Sequence, residues 1–330
     1  IFYSLAEHLL CFLYASMIIF IVNPYLNESR LISIYEEYDN FEDNNNLILF
    51  LGSSQIREDV DCYIISDIIK NDNIYNLGFT SDSPLRRMFE LERIIDSKPD
   101  LVIIGISYFG LSKYQEIHED FFVMIAPKIN IDKNSPEYSI YSKEQINILN
   151  QNSLEYFLYL RKFISPALKS YLKNESPDLI KNNLNMQTDN KDNSNNFKNP
   201  WIYSSSLSYE KLKEMKNNGD IWGNTYNEGF LDKPNREKKA LEYTLKTLKE
   251  HQIKVIIVNM PINSLLGEEI DDNERKEYNN YLSGLCISNS FRYIDFENIY
   301  PDDYFIDFSH LNEKGRNAFS EDMAKIIATK

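Results

Sequence analysis

Leu47-Ile48-Leu49-Phe50-Leu51 runs without a polar interruption into Gly52-Ser53-Ser54-Gln55. Unbroken apolar character is what a strand covered on both faces needs, and a glycine followed by serines ends such a strand in a turn. Moving outward from this stretch, strands and helices alternate. Asp61 to Lys70 places Tyr63, Ile64, Ile65, Ile68 and Ile69 at helical spacing, and Ile74 to Leu77 reads as a second short strand. Ser83-Pro84 is a helix start, with serine as N-cap and proline in the first turn; Leu85, Met88, Phe89, Leu91, Ile94 and Ile95 then mark one face. Leu101 to Ile104 is a third strand. Helical patterns at Glu237 to Glu250 and Asn273 to Cys286 precede the strands Lys254 to Val258 and Tyr293 to Phe296, and a last helix covers Glu313 to Ala328. Five short apolar strands alternating with helices predict an α/β fold, a parallel sheet with helices on both faces.

The 330 residues are 43% hydrophobic and 13% aromatic, enough for a large core and too apolar for a chain disordered throughout. Asp and Glu number 50 against 35 Lys and Arg, and the resulting charge of -15 repels phosphate backbones and argues against nucleic acid as a partner. Cys11, Cys62 and Cys286 show no C-x-x-C spacing and read as small buried apolar residues. Leu9 to Val22 is apolar apart from Ser16 and ends at Asn23-Pro24. Extended back to Ile1, it predicts a membrane anchor over 1–24 with its start upstream, followed by a linker over 25–46; a core helix or a secretion signal is the plainer alternative. Arg30 stands alone among Glu28, Glu36, Glu37 and Asp39, so the positive-inside rule places the bulk of the chain outside the cytoplasm.

Residues 105–253 separate the third strand from the fourth, far more than one crossover needs. Segment 112–234 is therefore predicted as a large, mostly helical insertion within a domain over 47–330. It looks helical around Lys143 to Leu172 and becomes an Asn/Lys/Asp tract from Leu179 to Asn199. Trp201, Trp222 and Tyr226 there could stack on sugar rings or simply pack. Arg86-Arg87 reads as a solvated helix face or as a contact for an anionic substrate.

In an open parallel sheet, ligands bind beyond the carboxyl ends of the strands. Three of the ten glycines, Gly52, Gly78 and Gly105, lie at the ends of the first three strands. A serine in a strand-to-helix turn points its hydroxyl into the crevice, where it needs an imidazole to take its proton and a carboxylate to fix that imidazole. Of the four histidines, His8 falls in the anchor, His118 in the insertion and His251 at the opposite end of the sheet. Only His310 lies on the carboxyl side, and Asp307 precedes it by three residues. The plainer reading makes Ser54 and Asp307 helix caps, His310 a surface histidine, and Gly78 and Ser107 parts of turns.

Gly52-Ser53-Ser54, Gly78, Gly105-Ile106-Ser107 and Asp307-x-x-His310-Leu311-Asn312-x-x-Gly315, in that order, resemble the blocks of the SGNH (GDSL-like) hydrolase superfamily. The resemblance is confined to these short blocks, spread over 47–330. It implies a flavodoxin-like three-layer α/β/α fold with a five-stranded parallel sheet. It also implies Ser54 as nucleophile, His310 as base and Asp307 as its orienting carboxylate. The N–H groups of Ser54 and Gly78 and the hydroxyl of Ser107 would line the oxyanion hole, with no metal or organic cofactor. The family has aspartate where Ser53 stands and asparagine where Ser107 stands, so the third block is degraded. Gly-Ser-Ser, the anchor and the insertion look more like the membrane-attached branch, which holds the D-alanine transfer protein of the teichoic-acid pathway and acetyltransferase-like proteins of exopolysaccharide assembly.

The expectation is a membrane-anchored, extracytoplasmic serine esterase or O-acyltransferase. Its substrate would be an acylated glycan or polymer of the cell envelope, and its partners the membrane and proteins of an envelope assembly. The competing expectation is a catalytically silent module of the same fold that binds a glycan or a protein partner; Ser54 and His310 too far apart to hydrogen bond would favour it. A nucleotide site on the same sheet is a third reading, which no glycine-rich phosphate loop supports.

Overall fold

The computed structural model describes residues 34, 37–41, 45–80, 82–112, 136–141, 146, 197, 198, 200, 207–219 and 236–329. The predicted anchor, most of the linker, nearly all of the helical and Asn-rich stretches of the insertion, and Trp201, Trp222 and Tyr226 lie outside the described residues. Among the described residues no helix is long and apolar enough to cross a membrane. The chain divides into two compact units, 1–36 with 116–195 and 37–115 with 196–330. In the first, a 3-10 turn at Pro136–Ser139 leads into the buried Ile140 and Tyr141. The second holds the sheet.

Five parallel strands form that sheet: β1 (Ile48–Gly52), β2 (Ile74–Asn76), β3 (Leu101–Ile106), β4 (Lys254–Asn259) and β5 (Arg292–Asp295), in the order β2-β1-β3-β4-β5. This is the flavodoxin-like order, and its topological switch point falls between β1 and β3, where Gly52 sits opposite Gly105. The helices are α1 (Ser54–Asp59), α2 (Cys62–Ile69), α3 (Pro84–Arg87), α4 (Leu91–Asp96), α5 (Tyr108–Ser112), α6 (Tyr209–Asn217), α7 (Arg236–Glu250), α8 (Ser264–Gly267), α9 (Asp272–Asn289) and α10 (Glu313–Ala328).

Every residue of β1 and β3 is buried, as their unbroken apolar runs require. One face of the sheet, through Ile48, Phe50, Ile103, Ile256 and Val258, packs against Ile56 of α1, Ile65 of α2 and Phe319 and Met323 of α10. Helix starts follow their capping residues. Asp61 Oδ1 accepts from the N–H groups of Tyr63 and Ile64 at the head of α2, and Ser83 with Pro84 opens α3.

Two details depart from expectation and one adds to it. The helix predicted from Ser83 onward is two short helices, α3 and α4, joined by a 3-10 turn at Met88–Glu90. Helix α6 lies inside the mostly helical 112–234 insertion but was not singled out, because its nine residues are largely charged and bury a single side chain, Leu212. Arg86 and Arg87 are buried, not a solvated face. Arg87 pairs with Asp82 and with Glu90, the latter at 2.6 Å, and Arg86 lies 3.9 Å over the Phe79 ring. Acidic neighbours close in sequence neutralise a cation that the helix pattern alone assigned to water.

Two glycines fix the end of β1 and the turn after β2. Gly52 has φ +152°, a conformation L side chains rarely adopt. At Gly78 a Cβ would lie 2.4 Å from the backbone nitrogen of Arg57 and 2.8 Å from its Cα. Because backbone cannot swing aside, Gly78→Ala is expected to cost at least about 1–3 kcal/mol, the usual range for overpacking. Urea unfolding checks this, and an unchanged midpoint would show that α1 can shift.

Candidate active site

The site grows out of the end of β1. Ser53 is the N-cap of α1, and its hydroxyl accepts from the N–H of Gln55. Capping thereby falls to Ser53 and leaves the neighbouring Ser54 hydroxyl to point elsewhere. Ser54 opens the first turn of α1, where backbone N–H groups have no intrahelical acceptor.

His310 comes from the loop between β5 and α10. That loop is closed on itself: the Ile306 N–H donates to the His310 carbonyl at 2.9 Å, and Phe305 bridges Leu311 in antiparallel fashion. It is also tied to α1. Gln55 Nε2 donates to the Ser309 and Pro261 carbonyls at 3.1 and 3.0 Å, and the Leu311 N–H donates to Asp59 Oδ1 at 2.8 Å. Asn312, not Asp307, caps α10, its side chain accepting from the Gly315 N–H. At Gly315 a Cβ would meet the Tyr304 carbonyl, a backbone contact that only glycine admits.

These ties set three side chains in line. His310 Nε2 lies 2.8 Å from Ser54 Oγ, and His310 Nδ1 lies 2.8 Å from Asp307 Oδ2. Asp307 Oδ1 also accepts the N–H groups of Ser309 and His310, each at 2.8 Å. A carboxylate against Nδ1 keeps a proton on that nitrogen, so in the neutral ring Nε2 is the acceptor for the Ser54 hydroxyl.

Electrostatics favour the charged ring. Burial opposes a charge on His310, but the hydrogen bond and charge of Asp307, then Glu58 and Asp59, outweigh it and push its pKa up to about 9. Burial works against the Asp307 carboxylate as well, yet its bonds to His310 hold it below the usual carboxylate range. Burial raises both Glu58 and Asp59.

Gly78 and Ser107 fare differently. The Gly78 N–H donates to Asn76 Oδ1 at 3.0 Å, so it is engaged inside its own turn, and its contact with Arg57 explains the glycine by packing. Ser107 follows β3 and lines an apolar cavity with Ser53, Gly105, Gly110, Leu241 and Thr244. Gln55, Glu58 and Asp59 were missed in the sequence. The signal for Glu58 was its position four residues after Ser54, one turn along the same helix face.

Ser54, His310 and Asp307 thus form a hydrogen-bonded serine-histidine-aspartate line at the carboxyl end of a flavodoxin-like sheet. A protein-family model matches residues 224–330, less than half of the chain. No curated protein matches the sequence. Among solved structures, the chain is similar to a provisionally assigned acylhydrolase from Bacteroides fragilis NCTC 9343, at 12% identity over 89% of this chain and 93% of that one, with a TM-score of 0.42. It is also similar to a provisionally assigned lipolytic protein of the G-D-S-L family from Desulfitobacterium hafniense DCB-2, at 10% identity over 86% and 99%, with a TM-score of 0.39. A variant of an acetyl-xylooligosaccharide esterase from Geobacillus matches at 11% identity over 86% and 94%, with a TM-score of 0.38. At these scores the likenesses decide neither family nor activity.

Proposed function

We propose that the chain is a serine esterase or O-acyltransferase of the SGNH (GDSL-like) kind. The observation that carries this reading is the line from Ser54 Oγ through His310 to Asp307, with 2.8 Å at each link. Ser54 passes its proton to His310 Nε2 as Oγ attacks an ester carbonyl carbon, and the carbonyl electron pair moves onto oxygen. Collapse of this oxyanion expels the alcohol, which takes the proton from Nε2, and leaves the acyl group on Ser54. Water or a sugar hydroxyl then attacks the acyl-enzyme with His310 again as base. The donors for the oxyanion are the Ser54 N–H and the Ser107 hydroxyl; the engaged Gly78 N–H is not among them.

The mostly apolar cavity lined by Ser53, next to the nucleophile in the chain, and by Ser107, the proposed oxyanion donor, would take the acyl group. The apolar run from Leu9 to Val22 motivates membrane anchoring with the catalytic unit outside the cytoplasm. An acyl ester on an envelope glycan or polymer is then the substrate, reached alongside partners of the same assembly. The silent-module alternative is motivated by serine at 107, where the family has asparagine; Ser54 and His310 out of reach of each other would have supported it, and they lie 2.8 Å apart.

A fluorophosphonate probe tests the reading, since only an activated serine displaces its fluoride. Wild type is expected to be labelled on the peptide carrying Ser54, and His310→Ala to label much more slowly. Equal labelling of wild type and Ser54→Ala would remove Ser54 as the nucleophile.

A further inference from the structure

His310 faces more acid than a serine-histidine-aspartate line uses. Glu58 is 1% exposed, and its Oε2 has no hydrogen-bond partner among the described residues. Its other oxygen accepts from Arg57 at 2.7 Å. Oε2 lies 3.5 Å from His310 Nε2, the nitrogen that also faces Ser54 Oγ. A carboxylate oxygen this deeply buried must share a proton or lean on a cation, and the imidazole edge supplies both. Helical spacing brings it there: Ser54 and Glu58 are one turn apart on α1, so the nucleophile and the second carboxylate approach the same ring nitrogen from one element.

We propose that Glu58 is a positioning residue acting through His310: it holds a proton on Nε2 between turnovers, and that proton must leave before Ser54 can transfer its own. This rests on the reading of Ser54 and His310 as nucleophile and base. Among the described residues, the charged groups that act on the ring are Asp307 on the Nδ1 side and Glu58 and Asp59 from α1, with Arg57 paired to Glu58. In the resting site the Nε2–H is shared between Ser54 Oγ and Glu58 Oε2. Loss of that proton to water frees the Nε2 lone pair. When Ser54 attacks, its proton arrives at the same place, and Glu58 stabilises the imidazolium so formed. Activity therefore rises with pH through the titration of His310 near 9, above the ordinary range of a histidine base.

The test follows the His310 ring by NMR titration and, in parallel, the pH dependence of fluorophosphonate labelling, in wild type and Glu58→Gln. Removing a charge this close is expected to lower the His310 midpoint by about one unit or more and to move the rising limb of labelling by the same amount. Glu58→Asp, which withdraws the carboxylate by one methylene, gives a smaller shift in the same direction and serves if Glu58→Gln does not fold. An unchanged His310 midpoint in the folded variants overturns the proposal, whatever the labelling does. A shifted midpoint in a protein that never labels would sink the esterase reading and leave the Glu58–His310 pair standing.

Discussion

Ser54→Ala is expected to lower turnover of an activated ester by about 10⁴- to 10⁶-fold, the range seen when a serine nucleophile is removed from a working triad. The loss is large because, in the proposed mechanism, Ser54 is both the attacking oxygen and the source of the proton that His310 must receive. Among the described residues the carboxylate of Glu58 also lies near Nε2, held at 3.5 Å and paired through its second oxygen to Arg57, and it is no substitute for a hydroxyl nucleophile. The fold should survive. The hydroxyl contributes one hydrogen bond, worth about 1 kcal/mol, and the cap of α1 is Ser53, which the substitution leaves in place. The measurement is kcat with a chromogenic acyl ester, alongside an unfolding curve. Turnover within tenfold of wild type in a folded variant would show that the site hydrolyses esters by another route or not at all.

Asp307→Asn is expected to cost about 10⁴-fold in kcat, as loss of the orienting carboxylate does elsewhere. The reason is tautomeric. Asp307 keeps a proton on Nδ1 by accepting from it at 2.8 Å. An asparagine amide can instead offer its own N–H to Nδ1, which moves the ring proton to Nε2. Here Nε2 also faces the Glu58 carboxylate, so that tautomer has a ready acceptor and the base is blocked more firmly than in a site without the second carboxylate. The substitution also removes the largest influence that raises His310, so its titration midpoint falls from about 9 toward the ordinary value. Turnover over pH 6–10 together with the His310 titration checks both parts. A variant with unchanged kcat and unchanged midpoint would mean that Asp307 serves only the backbone N–H groups of Ser309 and His310.

How far the chain could be read from its residues depended on whether a feature was local. The unbroken run from Leu47 to Leu51 needs cover on both faces, and that demand alone points to a parallel sheet. His310 was found by scarcity, because four histidines leave a single candidate at the right end of the strands. Residues whose role depends on what folds against them were read less well. Arg87 looked solvated because its helix pattern is amphipathic, yet Asp82 and Glu90 bury it as a neutralised cluster. Gly78 matched a motif position, but the Asn76 side chain takes its N–H, a contact that only the bend after β2 creates. Glu58 carried a readable signal, four residues from Ser54, that gains meaning only once a ring from the far end of the chain is placed beside it.

The sequence by itself determined the strand-helix alternation, the glycines at the strand ends and the order in which Ser54, Asp307 and His310 occur, because each depends on a residue and its near neighbours. Tertiary structure alone decided which serine caps α1 and which one meets the imidazole. It also decided which backbone N–H groups are already spent and how many carboxylates surround His310. Those outcomes depend on distances between segments about 250 residues apart in the chain. Burial there strengthens every charge interaction through a low local dielectric, so a shift of an ångström that no sequence pattern records sets the protonation of the ring.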